Sequence, residues 1–153
     1  MDEISPENLA LLERRYKSAA TVYFALLFSS VGFIVAALFL ADEGRTANTD
    51  SLMPLWIAIV FIAVAAFVLR RVLINWERLR NAKLLKGVGG LLASLQTNSI
   101  VLGALAEIVA LIGVAITFLN GNKFDALRAG GVALLLFAIN FPRQSVWRKI
   151  VGS

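Results

Sequence analysis

The sequence contains no cysteine and no histidine. These absences exclude disulfides, thiolate nucleophiles, imidazole acid–base catalysis and metal sites built on either residue. Charge is also scarce, because only 16% of the 153 residues are Asp, Glu, Lys or Arg, against about 25% in soluble domains. The chain has no nucleophile–base set, no phosphate-binding loop and no paired carboxylates. We therefore predict that it is not an enzyme and has no cofactor and no metal site.

Long apolar runs dominate instead, and 59% of the residues are hydrophobic. Residues 18–41 and 51–69 carry no charge, and Glu107 is the single charge within 87–122. A bilayer core needs about 20 helical residues, so these three runs are long enough to cross it. The uncharged run 129–142 is shorter, and it spans only if Arg128 snorkels to the interface.

The predicted fold is therefore all-α: a four-helix transmembrane bundle that forms one membrane domain. We place the spans near residues 19–41, 52–70, 99–119 and 125–142.

Flanking charges predict the orientation of the bundle. Under this topology twelve of the fifteen Lys and Arg residues fall on one side: Arg14, Arg15, Lys17, Arg70, Arg71, Arg78, Arg80, Lys83, Lys86, Arg143, Arg148 and Lys149. Only Arg45, Lys123 and Arg128 fall on the other. The positive-inside rule then places both termini in the cytoplasm of a multi-pass inner-membrane protein. Because the cations lie beside apolar runs, we expect membrane lipid and no nucleic acid as their partner.

Helical signals extend beyond the spans. Ser5 and Pro6 form an N-cap and first-turn pair, and an apolar stripe then leads into span one. That stripe either lies on the membrane surface or lengthens the helix. Helical spacing after span two predicts a helix continuing to about Lys86, where Gly87 breaks it. Residues 70–98 are thus predicted to form a basic cytoplasmic hairpin. It contacts head groups or a partner through Arg70, Arg71, Arg78, Arg80, Lys83 and Lys86.

Glu107 is the one acidic residue inside an apolar run. A charged side chain at mid-span costs on the order of 2.5–3.5 kcal/mol, so protonation, a partner or water must offset the cost. Beside it, a seam of small residues recurs at helical spacing: Gly103, Ala106, Ala110 and Gly113. Such seams let helices approach closely.

Two hypotheses account for Glu107. In the first it handles an ion, at a site formed with Tyr23, Asn140 and Arg143. In the second it is a structural acid, protonated and bonded to a carbonyl, or joined to Tyr23, Asn140 or Arg143 near the inner half of the bundle.

The stretch Leu-Ala-Glu-Ile-Val-Ala-Leu-Ile-Gly at 105–113 resembles the carboxylate helix of the rotor-ring proteolipids, the c-type subunits of rotary ATPases. The resemblance covers residues 100–119 and implies that Glu107 binds and releases a proton or sodium ion. The partner helix of that family is glycine-rich, whereas 57–69 contains no glycine. As a whole, the chain is similar to small bacterial four-helix membrane proteins of unassigned function.

The function predicted first is that of a non-enzymatic structural or accessory subunit of a membrane assembly, or a homo-oligomer. The alternative is a proton- or cation-handling protein that works through Glu107. A third hypothesis is a lipid-surface adaptor that uses the basic hairpin.

Overall fold

The computed structural model describes residues 5–41 and 49–152, which form helices and no strand. The helices are α1 (Pro6–Leu40), α2 (Thr49–Leu73), α3 (Trp76–Asn120), α4 (Lys123–Asn140) and α5 (Gln144–Val151). Within this part of the chain four helices are long and apolar enough to cross a membrane. The predicted all-α bundle is confirmed.

Helices α1 and α3 lie side by side and run in the same direction. Gln96 Nε2 donates a hydrogen bond to Ser18 Oγ at 3.0 Å. Seven residues further along α3, a Cβ built on Gly103 would lie 3.0 Å from the Tyr23 ring. Because the contacts advance along both helices together, α1 and α3 are parallel.

Helices α2 and α4 run in the opposite direction. Gly113 of α3 lies against Ala129 in the first half of α4. Earlier on α3, Gly103 lies beside Tyr23, which hydrogen-bonds to Phe137 near the end of α4. The contacts move backward along α4 as they advance along α3, so these two helices are antiparallel. The side-chain amide of Asn98 donates to the carbonyl of Leu73, the last residue of α2, at 3.4 Å. The four long helices therefore alternate in direction.

This topology brings both ends of the described chain and residues 70–98 to one end of the bundle. We call it the basic end, because all twelve cations predicted for one side occur on these segments. Arg148 of α5 pairs with Glu13 of α1 at 3.5 Å. Lys123 and Arg128 lie at the other end, and Arg45 lies outside the described residues.

The helices extend well beyond a bilayer at the basic end. With 35 residues, α1 is about 50 Å long, against about 30 Å for the hydrocarbon core. The stripe after Ser5 therefore lengthens the helix. At this end a hydrophobic cluster packs the first part of α1 against α3 and α5. Its buried residues are Leu12, Ala19, Leu79, Leu91, Leu92, Leu95, Trp147, Ile150 and Val151.

The prediction that span two continues to Lys86 is wrong. Helix α2 ends at Leu73, and Asn75 caps α3 by accepting a hydrogen bond from the Glu77 amide at 3.1 Å. Asn caps a helix well because its side-chain oxygen satisfies a free first-turn amide. Gly87 does break the helical backbone, at φ 66° and ψ −174°, a conformation that only glycine adopts without strain.

Replacing Asn75 with alanine should destabilise the protein by about 1 kcal/mol, because the Glu77 amide loses its capping acceptor. Hydrogen exchange should accelerate at the Glu77 amide and leave the centre of α3 unchanged. Asn81→Ala is the matched control, since Asn81 is exposed in the same helical segment. Equal exchange rates at Glu77 in both variants would show that the cap contributes nothing.

Candidate functional site

The small-residue seam on α3 is buried inside the chain. Gly103 faces Tyr23 and Leu26 of α1, and Gly113 faces Ala129 of α4. Ala106 and Ala110 between them are 0% and 1% exposed. Since α1 and α4 already occupy the seam, its residues are not free to pack against another subunit.

Glu107 lies on α3 at the edge of this seam. Its side chain is half-buried, with Gly103 one turn before it and the partly exposed Leu111 one turn after it. No hydrogen bond or ion pair joins its carboxylate to another residue within 5–41 or 49–152. The carboxylate therefore lies between the helix interface and the apolar outer surface without a partner among the described residues.

Tyr23, proposed above as a partner for Glu107, hydrogen-bonds to a different helix, α4. Its hydroxyl donates a 2.7 Å hydrogen bond to the carbonyl of Phe137. Its ring, 0% exposed, packs edge-on against the rings of Phe137 and Phe141. The last carbonyls of a helix have no intrahelical donor, so Tyr23 satisfies a group that α4 leaves open.

The end of α4 explains why such a donor is needed. Pro142 has no N–H, and Phe141 before it has extended backbone angles of φ −55° and ψ 126°. Helix α4 therefore stops at Asn140. Tyr16, two turns before Tyr23, donates to the Pro142 carbonyl at 3.2 Å. The two tyrosines of α1 thus hold the connection between α4 and α5.

Asn140 and Arg143 lie together at this connection, but they do not reach Glu107. They line a cavity of about 100 Å³ at the basic end, which we call the basic-end cavity. It is enclosed by the ends of α2 and α4, the first part of the α3 span and α5. Its lining residues are Arg70, Ile74, Leu95, Asn98, Ser99, Leu102, Asn140, Phe141, Pro142, Arg143, Val146, Trp147 and Ile150.

The side chain of Asn140 has no hydrogen-bond partner in this cavity. It is only 6% exposed, and neither its amide nitrogen nor its oxygen contacts a described donor or acceptor. An unsatisfied buried polar group costs about 1–3 kcal/mol. A molecule from outside the chain, water at the least, is therefore needed to complete this site.

The six cations assigned to the hairpin separate into two groups. Arg71, Arg78, Arg80 and Lys86 are exposed, as head-group or partner contacts would require. Lys83 is half-buried, and its Nζ donates to the Val151 carbonyl at the end of α5, at 2.9 Å. Arg70 is one of the residues that line the basic-end cavity. Sequence analysis missed its association with Asn140 and Arg143, which are about 70 residues away and share no local pattern with it.

Ser30 Oγ and Thr117 Oγ1 are also buried without a hydrogen-bond partner among the described residues, whereas the buried acidic residue at the far end is bonded. At the far end Asp125 accepts a 2.6 Å hydrogen bond from Asn120 and lies 3.5 Å from the Arg128 guanidinium. Among the described residues no group of three acidic, His or Cys side chains could hold a metal ion. A comparison with protein-family models, curated proteins and solved structures found no match.

Proposed function

We propose that this chain is a multi-pass protein of a cell's inner membrane with both termini in the cytoplasm. Four helices are suited to crossing a membrane, and the ends of the described chain lie together. The concentration of cations there supports a cytoplasmic position for the basic end, because Lys and Arg are retained on that side during insertion.

Within that membrane we propose a non-enzymatic role as a subunit of an assembly, either a homo-oligomer or a complex with other membrane proteins. One observation carries this proposal: Glu107 has no partner among the described residues. A carboxylate inside a span is costly without a partner. A neighbouring subunit packed against the outer surface of α3 supplies the missing donor.

The surface next to Glu107 supports this arrangement. Ile108 and Leu111 are 42% and 39% exposed, so this side of α3 faces away from the bundle. The seam of small residues is buried against α1 and α4. Contact with another subunit therefore involves the strip of Glu107, Ile108 and Leu111 rather than the seam.

Proton or cation binding at Glu107 is the second candidate function. The same unpartnered carboxylate favours it, because a bound proton or cation also removes the cost of the charge. The resemblance of 100–119 to rotor-ring proteolipids implies this chemistry. The two candidates differ in what they demand of the side chain: an assembly contact needs a hydrogen-bonding group, whereas ion binding needs an ionisable one.

Two substitutions at Glu107 separate these functions. If the residue bonds to another subunit, Glu107→Gln retains the oligomer and Glu107→Leu disrupts it, since Gln keeps a hydrogen-bonding side chain. Size-exclusion chromatography with light scattering in a mild detergent measures the outcome. Glu77→Gln, at an exposed acidic residue, is the control. A monomer for wild type, or an oligomer that survives Glu107→Leu, would refute the assembly contact.

Ion handling is tested by carbodiimide labelling of the protein in lipid across a range of pH. This reagent attacks protonated carboxyl groups, so labelling of Glu107 should decline as pH rises and disappear in Glu107→Gln. Asp125 is the internal control, because it is buried and bonded within the chain. Absence of labelling at every pH would exclude an accessible protonatable site.

A further inference from the structure

The basic-end cavity has polar and charged groups that have no hydrogen-bond or ion-pair partner among the described residues. Both polar atoms of Asn140 are unpaired, although its side chain is more than nine-tenths buried. Ser99 and Asn98, by contrast, donate to the carbonyls of Leu95 and Leu73. Of these three polar side chains, only that of Asn140 lacks a hydrogen-bond partner among the described residues.

The charge of the lining is uncompensated. Arg70 and Arg143 both line the cavity, and none of its described lining residues is acidic. Neither guanidinium makes an ion pair with a residue in the described ranges. Arg70 is half-buried and Arg143 is exposed, so the two cations attract an anion to the cavity, and salt weakens this attraction.

Helix α5 adds to the positive potential. Arg143 is its N-cap residue, and the Arg143 side chain makes no capping hydrogen bond. Val146 of the first turn of α5 lines the cavity, and the Val146 amide donates to the Arg143 carbonyl at 3.1 Å. The first amides of a helix carry partial positive charge and bind anions. Two arginines and the unpaired side-chain amide of Asn140 therefore line one space beside the start of α5.

We propose that the basic-end cavity binds a phosphate group, held by Arg70, Arg143 and the side-chain amide of Asn140. Arginine presents paired N–H donors that match phosphate oxygens. The Asn140 Oδ1 is an acceptor and takes a hydrogen bond from a hydroxyl or ammonium group attached next to the phosphate. This chemistry fits the head group of a phospholipid that carries glycerol or ethanolamine.

The surroundings match such a head group. The cavity lies where α2 and α4 end, at the basic end of the apolar helices, and Ile74, Leu102 and Val146 give it an apolar side. A volume of about 100 Å³ exceeds the roughly 30 Å³ share of one water molecule. Glu107 is not part of this lining, so the phosphate site does not depend on the function proposed for that residue.

The experiment uses delipidated full-length protein in a non-ionic detergent and two probes, phosphatidylglycerol and inorganic phosphate. A ligand that binds the folded state raises Tm with its concentration, which yields an apparent affinity. Native mass spectrometry counts the phospholipids retained. We compare Asn140→Leu and Arg70→Gln with wild type. Arg71→Gln is the matched control, because the neighbouring arginine is exposed and outside the cavity.

We expect phosphatidylglycerol to raise the Tm of wild type and of Arg71→Gln. Its affinity should be about tenfold or more lower in Asn140→Leu and Arg70→Gln, since each loses a hydrogen bond to a charged group. The same pattern with inorganic phosphate alone would support the phosphate site and show that its ligand is a soluble phosphate rather than a lipid head group. No shift with either probe, or equal affinities in all variants, would overturn the proposal and leave a cavity that holds only water.

Discussion

Replacing Gly113 with alanine should destabilise the bundle by about 3 kcal/mol, the upper part of the range for overpacked cores. A Cβ at this position would overlap the Cβ of Ala129 on α4. Neither atom can rotate away, because both are attached directly to helical backbone. Helices α3 and α4 would have to separate, and close helix packing is the main source of stability between spans. Unfolding by SDS in mixed micelles, followed by tryptophan fluorescence, measures the loss.

A second substitution tests the cause. The double variant Gly113→Ala with Ala129→Gly should recover most of the lost stability, because the Ala129 Cα would lie 3.5 Å from the new Cβ, an ordinary contact. Gly131→Ala is the control on α4, since a Cβ there meets nothing within 4 Å. If the double variant is as unstable as Gly113→Ala, the Ala129 contact is not the cause.

Tyr23→Ala should cost about 4 kcal/mol, because it removes a large, fully buried ring from contact with α3 and α4. Tyr23→Phe should cost only about 1–2 kcal/mol. It keeps the ring contacts with Phe137 and Phe141 and loses only the hydrogen bond to the Phe137 carbonyl. The same SDS titration measures both variants, and their difference separates packing from hydrogen bonding.

Phe28→Ala provides the comparison for Tyr23→Ala. Phe28 lies on the same helix but is 71% exposed, so its ring faces lipid and contributes little to helix packing. We expect a loss below about 1 kcal/mol, since lipid chains replace its contacts. Similar losses for Phe28→Ala and Tyr23→Ala would show that burial of Tyr23 is not what stabilises α1 against α4.

Several features of the fold could be predicted because they depend on neighbouring residues alone. Ser5 caps α1, and its side chain accepts a hydrogen bond from the Asn8 amide at 3.4 Å. Pro142 follows the last residue of α4 by two positions. Both act through local backbone geometry, which a sequence displays directly. The start of α3 was missed because the apolar spacing continues in phase across Ile74 and Asn75 and hides the cap.

The candidate site was predicted only in part. Asn140 and Arg143 are close in sequence and share a cavity, but the expected contact of either residue with Glu107 is not present among the described residues. The hydroxyl of Tyr23 bonds to a backbone carbonyl, a partner that carries no sequence signature. Arg70 lines the cavity from another helix, and only the packing of α2 beside α4 reveals this.

The sequence by itself determined that four helices are long and apolar enough to cross a membrane, and that the charge is concentrated at one end. Those properties follow from the hydropathy and length of each segment, which do not depend on the others. Only the tertiary structure decided that the seam at Gly113 is buried and that Arg70, Asn140 and Arg143 line one cavity. It also placed Glu107 at the edge of the seam, without a partner in the part of the chain that the structure describes. The physical reason is rotation: each residue turns a helix by about 100°, so a small rotation about the helix axis decides which side chains face a neighbour, a cavity or lipid.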